Sequence, residues 1–235
     1  MKILVLGHNG MLGHIVSLYL KFRLQNVIEI DSRWPYKSNA EINKLSPDII
    51  INCIAALPQK NSEFSINFEL PKWLNNNTNA KVIHASSDRE YGDDYGKSKS
   101  KATEYIINHA KNFKIIRTSI IGPEINNNHF LLEWFLASND SVEGYSNVYW
   151  NGITSLKWAE ICFDMIKNWQ NYNKVTWVYS NSISKEVLLR NIKRVYKKDI
   201  IINSSICDNP HKCISGNFKV DDISQQLQEL KSFYC

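Results

Sequence analysis

Short runs of apolar, β-branched residues alternate with helical patterns along the first half of the chain. The runs predict strands, which cover residues 2–6, 26–30, 49–53, 81–85 and 114–118. The segments between them have the spacing of helices, at residues 11–22, 40–45, 65–75 and 97–111. Continuous apolar strands are typical of a sheet that is buried on both faces. The alternation therefore predicts an α/β fold with a Rossmann-like, doubly wound parallel sheet.

The rhythm of the pattern changes after Gly122-Pro123. Further elements are predicted there, with helices over residues 130–137, 155–169, 185–196 and 221–233 and strands over 175–179 and 200–202. A polar, aromatic stretch follows no clear period at residues 143–152. We expect residues 1–122 to build the core sheet. Residues 123–235 are expected to add one or two strands and a small C-terminal region, all within a single compact unit.

The composition places the chain among compact globular proteins. Its 235 residues are 43% hydrophobic and 22% charged, which argues against disorder and against a membrane-spanning protein. The longest apolar runs are far too short to cross a bilayer. The N-terminal residues 1–7 run directly into a strand and lack the apolar stretch of a signal peptide, which predicts a cytoplasmic protein.

Charge and cysteine content exclude further classes. The net charge of +5 is spread along the chain, so a nucleic-acid partner is disfavoured, whereas an anionic small molecule is compatible. The five cysteines lack a Cys-x-x-Cys pair, as expected of reduced thiols in the cytosol. Cys207, His211 and Cys213 share one loop, but a fourth ligand is lacking there, and we predict no metal site. The oligomeric state stays open, with a homodimer as one option.

The clearest motif follows the first predicted strand. Gly7, Gly10 and Gly13 form a Gly-x-x-Gly-x-x-Gly turn that opens the first helix. Glycine permits the tight turn at the first position, the approach of backbone N–H groups to a pyrophosphate at the second, and close packing of helix on strand at the third. This context predicts a dinucleotide site, NAD or NADP, in which Met11 and Leu12 take part.

The end of the second predicted strand leaves the choice of dinucleotide open. The Asp31 carboxylate suits the hydroxyl groups of the adenosine ribose and favours NAD. The Arg33 guanidinium instead suits a 2′-phosphate and favours NADP. The two signals conflict, and the sequence leaves NAD and NADP undecided.

A Tyr-x-x-x-Lys spacing lies at the start of the helix after the fourth strand, formed by Tyr95 and Lys99. On a helix the two side chains share one face, about one turn apart. A free tyrosine has a pKa of about 10. The neighbouring ammonium is expected to lower the pKa of Tyr95, so that its hydroxyl can donate a proton near neutral pH. Lys99 is also placed to hold the nicotinamide ribose.

Small and hydroxyl side chains end the third and fourth predicted strands. Ser87 lies at the carboxyl edge of the sheet, where ligands of open α/β folds bind, and its hydroxyl suits the polarisation of a substrate carbonyl. Its neighbour Ser86 is interpreted as a buried strand serine that the backbone satisfies. Cys53 and Ala55 follow the third strand, where small side chains would admit the cofactor, and Cys53 is interpreted as an apolar filler.

Together these segments resemble the extended short-chain dehydrogenase/reductase family, and within it the dTDP-4-dehydrorhamnose reductases and related sugar-nucleotide-binding proteins. The similar segments, in chain order, are Gly7–Gly13, Pro47–Ala55, Ile66–Pro71, Ser86–Asp88, Tyr95–Lys99, Ile116–Gly122 and Asn151–Thr154. The chain departs from the family at two places. The segment between the serine and the tyrosine is shorter, at residues 88–94, and the C-terminal end is shorter than in typical reductases.

The resemblance implies an NAD(P)-dependent oxidoreductase. It implies Ser87, Tyr95 and Lys99 as the catalytic triad, with Asn67 as a further catalytic residue that supports the geometry of the site. Residues 1–122 would bind NAD(P), and the remaining residues would form a reduced substrate-binding region. The implied reaction is the reduction of a 4-keto (deoxy)sugar nucleotide in surface polysaccharide biosynthesis, with no nucleic-acid or membrane partner.

Two other functions stay open. An NAD-dependent epimerase or dehydratase would use the same scaffold, and the acidic pair Asp88 and Glu90 only partly meets the needs of a dehydratase. A catalytically silent, NAD(P)-binding regulatory protein is suggested by the short segment 88–94. The intact catalytic triad argues for an enzyme instead.

Overall fold

The structure, a computed structural model, describes residues 1–58, 63–90, 92–125, 127–208, 213 and 215–234. Its helices are α1 (Met11–Arg23), α2 (Tyr36–Leu45), α3 (Ile66–Asn77), α4 (Asp94–His109), α5 (Leu131–Ala137), α6 (Ser155–Lys167), α7 (Lys185–Tyr196) and α8 (Ile223–Tyr234). Its strands are β1 (Ile3–Leu6), β2 (Val27–Glu29), β3 (Ile49–Asn52), β4 (Lys81–Ser86), β5 (Phe113–Arg117), β6 (Ile120–Ile121), β7 (Ser141–Tyr145), β8 (Tyr149–Trp150), β9 (Ile153–Thr154), β10 (Val175–Tyr179), β11 (Ile183–Ser184), β12 (Ile201–Ser205) and β13 (Phe218–Lys219). None of the described helices combines the length and the apolar character that crossing a membrane requires.

Seven strands form the central parallel sheet, in the order β13-β10-β5-β4-β3-β1-β2. The predicted α/β class with a Rossmann-like, doubly wound sheet is confirmed. From β3 the chain runs outwards to β4 and β5 in one direction, and from β1 to β2 in the other, so the strand order reverses between β1 and β3. The carboxyl ends of β1, β3 and β4 lie side by side, because Leu6 pairs with Asn52 and Asn52 pairs with His84. In sheets of this kind, ligands bind outside the carboxyl ends of the strands at such a switch point.

The chain divides into two compact units. The first contains residues 1–117 and 159–176, and the second contains residues 118–158 and 177–235. The return of the C-terminal part of α6 to the first unit has no counterpart in the sequence prediction. An aromatic contact joins this part of α6 to α1, where the ring of Phe163 packs edge-on against the ring of Tyr19 with 6.1 Å between the ring centres.

The core of the first unit explains the continuous apolar runs of the sequence. Strands β1 and β3 are buried along their whole length. Helices α2, α3 and α4 pack through one cluster with the sheet, which includes Leu4, Ile42, Ile50, Leu70, Leu74, Val82, Ile106 and Ile115. Full burial of one such aliphatic side chain contributes about 1.5–3 kcal/mol. This packing fixes the carboxyl edge of the sheet, from which the candidate site is built.

The second unit contains several short strand pairs. Strands β7 and β12 pair in parallel, as do β6 and β9, while β8 and β11 pair antiparallel. The buried side chain of Gln226 on α8 accepts the N–H of Thr154 at 3.0 Å and donates to the carbonyl of Asp221 at 2.6 Å. A polar contact thus joins α8 to β9, and it satisfies backbone groups that burial would otherwise leave unpaired.

The predicted elements occur at the expected places, with shifts at their ends. Helix α4 begins at Asp94 rather than at residue 97, because the side chain of Asp93 accepts the N–H of Gly96 at 2.9 Å and caps the helix. Helix α2 begins at Tyr36 rather than at residue 40. The stretch 143–152 contains strand residues, although no strand is predicted there.

Candidate functional site

The glycine turn joins β1 to α1 and needs glycine at two of its three positions. Gly7 has a φ of +80°, a conformation that side chains rarely adopt, and its carbonyl accepts the N–H of Gly10 at 2.9 Å. A Cβ atom on Gly13 would lie 2.0 Å from that same carbonyl oxygen. The absence of a side chain at Gly13 therefore allows α1 to begin directly against the turn.

The N-terminus of α1 fits an anionic group such as a pyrophosphate. Among the described residues, a Cβ atom on Gly10 would meet the carbonyl oxygen of Gly7 alone, at 3.3 Å, so open space lies beside this residue. No side chain caps α1, and its first turn holds no acidic residue. The first N–H groups of a helix lack acceptors within the helix and favour negative charge. Met11 and Leu12 belong to this first turn.

Asp31, which follows β2, lies beside the glycine turn. The Nε2 atom of His8 is 3.1 Å from its carboxylate, and the side-chain amide of Asn9 donates to it at 3.3 Å. The Asp31 side chain is nevertheless 89% exposed, so the carboxylate is held in place and still reachable. Arg33 is exposed two residues further on.

The segment after β3 also lies against the glycine turn. A Cβ atom on Gly7 would lie 3.0 Å from the side chain of Ile54 and 3.2 Å from the carbonyl carbon of Cys53. Burial raises the pKa of the Cys53 thiol far above its usual range, so the thiol stays protonated at neutral pH. This supports the interpretation of Cys53 as an apolar filler. Ala55 follows in the same segment and is half-buried.

Asn67 on α3 is buried and joins three groups of the site. Its side-chain oxygen accepts the N–H of Ala56 at 2.8 Å, and its amide group donates to the carbonyl of Ala56 at 3.1 Å. The same amide group donates to the hydroxyl of Ser98 at 2.9 Å. Because Ser98 precedes Lys99 on α4, Asn67 fixes the segment after β3 relative to the helix that carries the lysine.

Ser87 and Tyr95 meet at the carboxyl end of β4. The Ser87 side chain is close enough to Tyr95 to influence the pKa of its phenol, and both residues are half-buried. The hydroxyl of Ser87 donates to the carboxylate of Asp88 at 3.3 Å. The hydroxyl of Ser87 also accepts the N–H of Arg89 at 3.2 Å, which fixes its position. The ring of Phe64 packs edge-on against the ring of Tyr95, with 5.9 Å between the ring centres. The two hydroxyl groups are therefore held together where a substrate oxygen would approach.

Lys99 lies one turn after Tyr95 on α4 and is only 2% exposed. Its ammonium group donates to the carbonyl of Ala85, the residue next to the end of β4, at 3.2 Å. Burial lowers the pKa of Lys99 to about 8, and the negative charge of Glu90 opposes this effect. The lysine is therefore mostly protonated at neutral pH.

The expected lowering of the pKa of Tyr95 is wrong for the protein without ligands. Burial raises the pKa of Tyr95 to about 12, and the carboxylate of Asp88 adds to the rise, while the nearby hydroxyl of Ser87 opposes it. Desolvation of a phenolate outweighs the opposing interactions because the charged form loses its hydration. Tyr95 therefore keeps its proton at neutral pH, as a proton donor must.

Glu90 is a residue of this site to which the sequence analysis assigns no structural role. It is 2% exposed and forms an ion pair with Arg117, which is 4% exposed. The hydroxyl groups of Ser86 and Thr103 donate to the same carboxylate at 2.5 and 2.7 Å. Ser86 is thus buried as expected, but a side chain rather than the backbone satisfies it. These contacts could not be predicted from a local sequence pattern, because Thr103 lies 13 positions and Arg117 lies 27 positions from Glu90 in the sequence.

The cysteine-containing loop near the C-terminus belongs to the second unit. Cys207 forms two hydrogen bonds with the side chain of Asn147, at 2.8 and 2.7 Å, and the sulfur of Cys213 lies 3.2 Å from the hydroxyl of Ser182. His211 lies outside the described residues. The described part of the chain contains no group of three or more His, Cys, Asp or Glu side chains that could hold a metal ion.

The fold of the chain is also found in several solved sugar-nucleotide reductases and in a sugar-nucleotide dehydratase. No protein-family model matches the chain, and neither does any curated protein sequence. The likeness therefore comes from solved structures, and at their low sequence identities it establishes the fold.

The matching structures span nearly the whole chain. A dTDP-4-dehydrorhamnose reductase from Clostridium acetobutylicum has a TM-score of 0.78 at 18% identity, over 99% of both chains. A dTDP-4-dehydrorhamnose reductase from Bacillus anthracis, solved with NADP, has a TM-score of 0.81 at 14% identity, over 100% of this chain and 99% of that one. A dTDP-glucose 4,6-dehydratase from Bacillus anthracis, solved with NAD, has a TM-score of 0.71 at 15% identity, over 100% of this chain and 96% of that one.

Proposed function

We propose that the protein is an NAD(P)H-dependent reductase of a 4-keto (deoxy)sugar nucleotide. The observation that carries this proposal is the placement of Tyr95 near Ser87, one helical turn before the buried ammonium of Lys99. These three groups lie near the carboxyl end of β4. The glycine turn follows the carboxyl end of β1, at the same edge of the sheet. A proton donor beside a dinucleotide turn is the arrangement that carbonyl reduction requires.

The residues of the first unit fit a dinucleotide. The first turn of α1, with Met11, Leu12 and Gly13, would hold the pyrophosphate, and the open space beside Gly10 supports this placement. Asp31 would meet the adenosine ribose, and Arg33 lies two residues further along the same segment. Lys99 would hold the nicotinamide ribose, and the small residues Cys53 and Ala55 would border the cofactor. A reduced nicotinamide, when bound, supplies a hydride.

The chain's own side chains supply the proton. As the carbonyl carbon of the substrate gains a hydride, its oxygen gains negative charge, and Tyr95 transfers its phenolic proton to that oxygen. Ser87 donates a hydrogen bond to the same oxygen and polarises the carbonyl before transfer. The Lys99 ammonium lies one turn away and stabilises the phenolate that remains, until the phenolate regains a proton from solvent.

Asn67 acts on this reaction through the backbone. Its bonds to Ala56 and Ser98 fix the segment after β3 against α4, and so fix where a cofactor and Lys99 meet. A misplacement of about 1 Å between reacting groups costs roughly 10²-fold in rate. We therefore assign Asn67 to the geometry of the site.

The likeness to sugar-nucleotide reductases supports the substrate class. The proteins of known structure that match over the whole chain include two dTDP-4-dehydrorhamnose reductases. On this proposal residues 123–235 include the substrate-binding region, and the product serves surface polysaccharide biosynthesis. The same fold also occurs in a dTDP-glucose 4,6-dehydratase, so the fold by itself leaves the reaction open.

The environment of Glu90 disfavours a dehydratase. Such an enzyme would need the acidic pair of Asp88 and Glu90 to exchange protons with the substrate. The Glu90 carboxylate is instead buried and occupied by Ser86, Thr103 and Arg117. A carboxylate whose oxygens are occupied in this way is poorly placed to exchange a proton with a substrate.

A turnover assay tests the reductase proposal. Purified protein is incubated with NADH or NADPH and a panel of 4-keto-6-deoxy sugar nucleotides, and the absorbance of the reduced cofactor is followed. We expect oxidation of the cofactor with at least one of these substrates. Tight cofactor binding without oxidation in any mixture would contradict the reductase and favour a cofactor-binding regulator. Release of water from a sugar nucleotide without net oxidation of the cofactor would favour a dehydratase.

A further inference from the structure

Glu90 sits in the short segment that connects the candidate serine to the candidate tyrosine. Its carboxylate receives hydrogen bonds from Ser86 on β4 and from Thr103 on α4, and it pairs with Arg117 at the end of β5. Three separate elements of the first unit therefore converge on one side chain. The residues around it in the chain, such as Arg89 and Asp94, are exposed.

The burial of this carboxylate makes its contacts strong constraints. A carboxylate without partners is very costly inside a protein, whereas a guanidinium and two hydroxyl groups satisfy it. Removal of one partner of a buried ion pair leaves an uncompensated charge and costs roughly 3–5 kcal/mol. The segment can therefore leave its place only by breaking the pair between Glu90 and Arg117.

The same segment also touches the helix that carries Tyr95. A Cβ atom on Gly96 would lie 1.9 Å from the carbonyl oxygen of Arg89, so the backbone of the segment packs directly on the first turn of α4. Asp93 adds the helix cap and also pairs with the Arg89 side chain at 2.8 Å. The positions of Ser87 and Tyr95 are thus set by one anchored stretch of chain.

The charge of Glu90 acts on Lys99. Tyr95, Lys99 and Thr103 are spaced by four residues on α4 and share one face, so the bond to Thr103 places Glu90 over the face that carries the lysine. Burial lowers the pKa of Lys99, and Glu90 is the first of the groups that raise it.

The other titratable groups that face Lys99 are neutral at pH 7. Cys53, after β3, has a pKa raised by burial, and His84, on β4, has a pKa lowered by burial. Tyr95, one turn earlier on the helix, keeps its proton because burial raises its pKa. Arg117 forms an ion pair with Glu90.

We propose that Glu90 is a positioning residue of the reductase, which anchors the segment between Ser87 and Tyr95 and stabilises the ammonium form of Lys99. This inference rests on the proposed function for its consequence in catalysis, but its physical content is measurable in the protein without cofactor.

The titration of Lys99 tests the electrostatic part. The lysine side-chain signals of the full chain are followed by NMR against pH, and Lys99→Met assigns the signal. We expect a midpoint near pH 8 in the wild type. In Glu90→Gln, which keeps the size of the side chain and removes its charge, the midpoint should fall by about one pH unit or more. Thr103→Val is the matched control, because it removes one bond to Glu90 but leaves the charge, and its midpoint should stay with the wild type.

Cofactor affinity tests the consequence. The Kd of NADH, measured by fluorescence titration, should rise above about pH 8 in the wild type as Lys99 loses its proton, and this rise should begin at lower pH in Glu90→Gln. If Glu90→Gln does not fold, the double variant Glu90→Gln with Arg117→Met removes both charges of the pair. Its Lys99 midpoint should also fall, but by less, because the positive charge of Arg117 is lost as well. A Lys99 midpoint that does not move in either variant would overturn the inference. Failure of the wild type to bind any cofactor would instead sink the proposed function and leave the NMR result standing.

Discussion

The Nε2 atom of His8 lies 3.1 Å from the carboxylate of Asp31 and joins the glycine turn to the end of β2. Asn9 donates to the same carboxylate at 3.3 Å. A negative charge is therefore fixed where the ribose of a bound dinucleotide would lie, with most of the side chain still exposed. A 2′-phosphate placed there would meet a like charge, whereas ribose hydroxyl groups would find an acceptor. We therefore predict that the protein binds NADH more tightly than NADPH.

The substitution Asp31→Asn should change this preference. It removes the negative charge and keeps the size of the side chain, so the ratio of the Kd of NADPH to the Kd of NADH should fall by about tenfold. Isothermal titration with each cofactor measures the ratio. Glu41→Gln is the control, because Glu41 is a nearby exposed carboxylate that bonds to Ser32. An unchanged ratio in Asp31→Asn would mean that Asp31 does not face the ribose.

The substitution Tyr95→Phe should remove turnover and spare cofactor binding. Loss of the phenolic proton should lower kcat by roughly 10²–10⁴-fold, while the Kd of the reduced cofactor stays within about twofold. Tyr105→Phe is the matched control on the same helix, since the hydroxyl of Tyr105 bonds to Asn76 on the neighbouring helix α3. If Tyr95→Phe keeps its rate within a few-fold, the proton donor is another group.

Two glycines of the same turn should respond differently to alanine. Gly13→Ala places a methyl group 2.0 Å from a backbone oxygen and should destabilise the protein by about 1–3 kcal/mol. Gly10→Ala meets one atom at 3.3 Å, so its stability should change little, but the methyl group enters the space assigned to the pyrophosphate and should weaken cofactor binding about tenfold or more. Urea unfolding and cofactor titration of both variants separate the two effects. Loss of stability without loss of affinity in Gly10→Ala would place the phosphates elsewhere.

The lowered pKa of Lys99 should make the free energy of unfolding rise as the pH increases above 7. Its pKa is about 8 in the folded protein against an ordinary value of 10.5, so between these values the unfolded chain binds more protons and stability rises with pH. From about pH 7 to about pH 9.5 the gain from this group should be roughly 2 kcal/mol. The measurement is the free energy of unfolding in urea at both pH values, for the wild type minus Lys99→Met. A difference that is flat with pH would show that Lys99 keeps an ordinary pKa.

The sequence predicts most strands of the central sheet well, because several of them are buried on both faces. Such strands, β1 and β3 among them, appear as continuous apolar runs that need no knowledge of their neighbours. The short strands of the second unit are different. Strands β6, β8, β9, β11 and β13 contain two residues each, too few for any period to appear. They are defined by their pairing partners, which local sequence does not reveal.

In the candidate site, too, the features set by residues close together in the sequence could be predicted, and the contacts between distant residues could not. The spacing of Tyr95 and Lys99 and the three glycines are local patterns, and the structure brings these residues to one edge of the sheet. Glu90 depends on Thr103 and Arg117, which approach it only after the chain has folded. The pKa of Tyr95 could not be predicted from the nearby lysine, because it depends on the degree of burial.

Every residue assigned here to cofactor binding or proton transfer lies between positions 7 and 99, and hence within the first unit. On the proposed function, this separation has an evolutionary consequence. Residues 118–158 and 177–235 can diverge under selection for a new sugar without passing through forms that lack the redox machinery. On that proposal, a change of substrate could arise from substitutions in one part of the chain while the other part keeps the redox machinery.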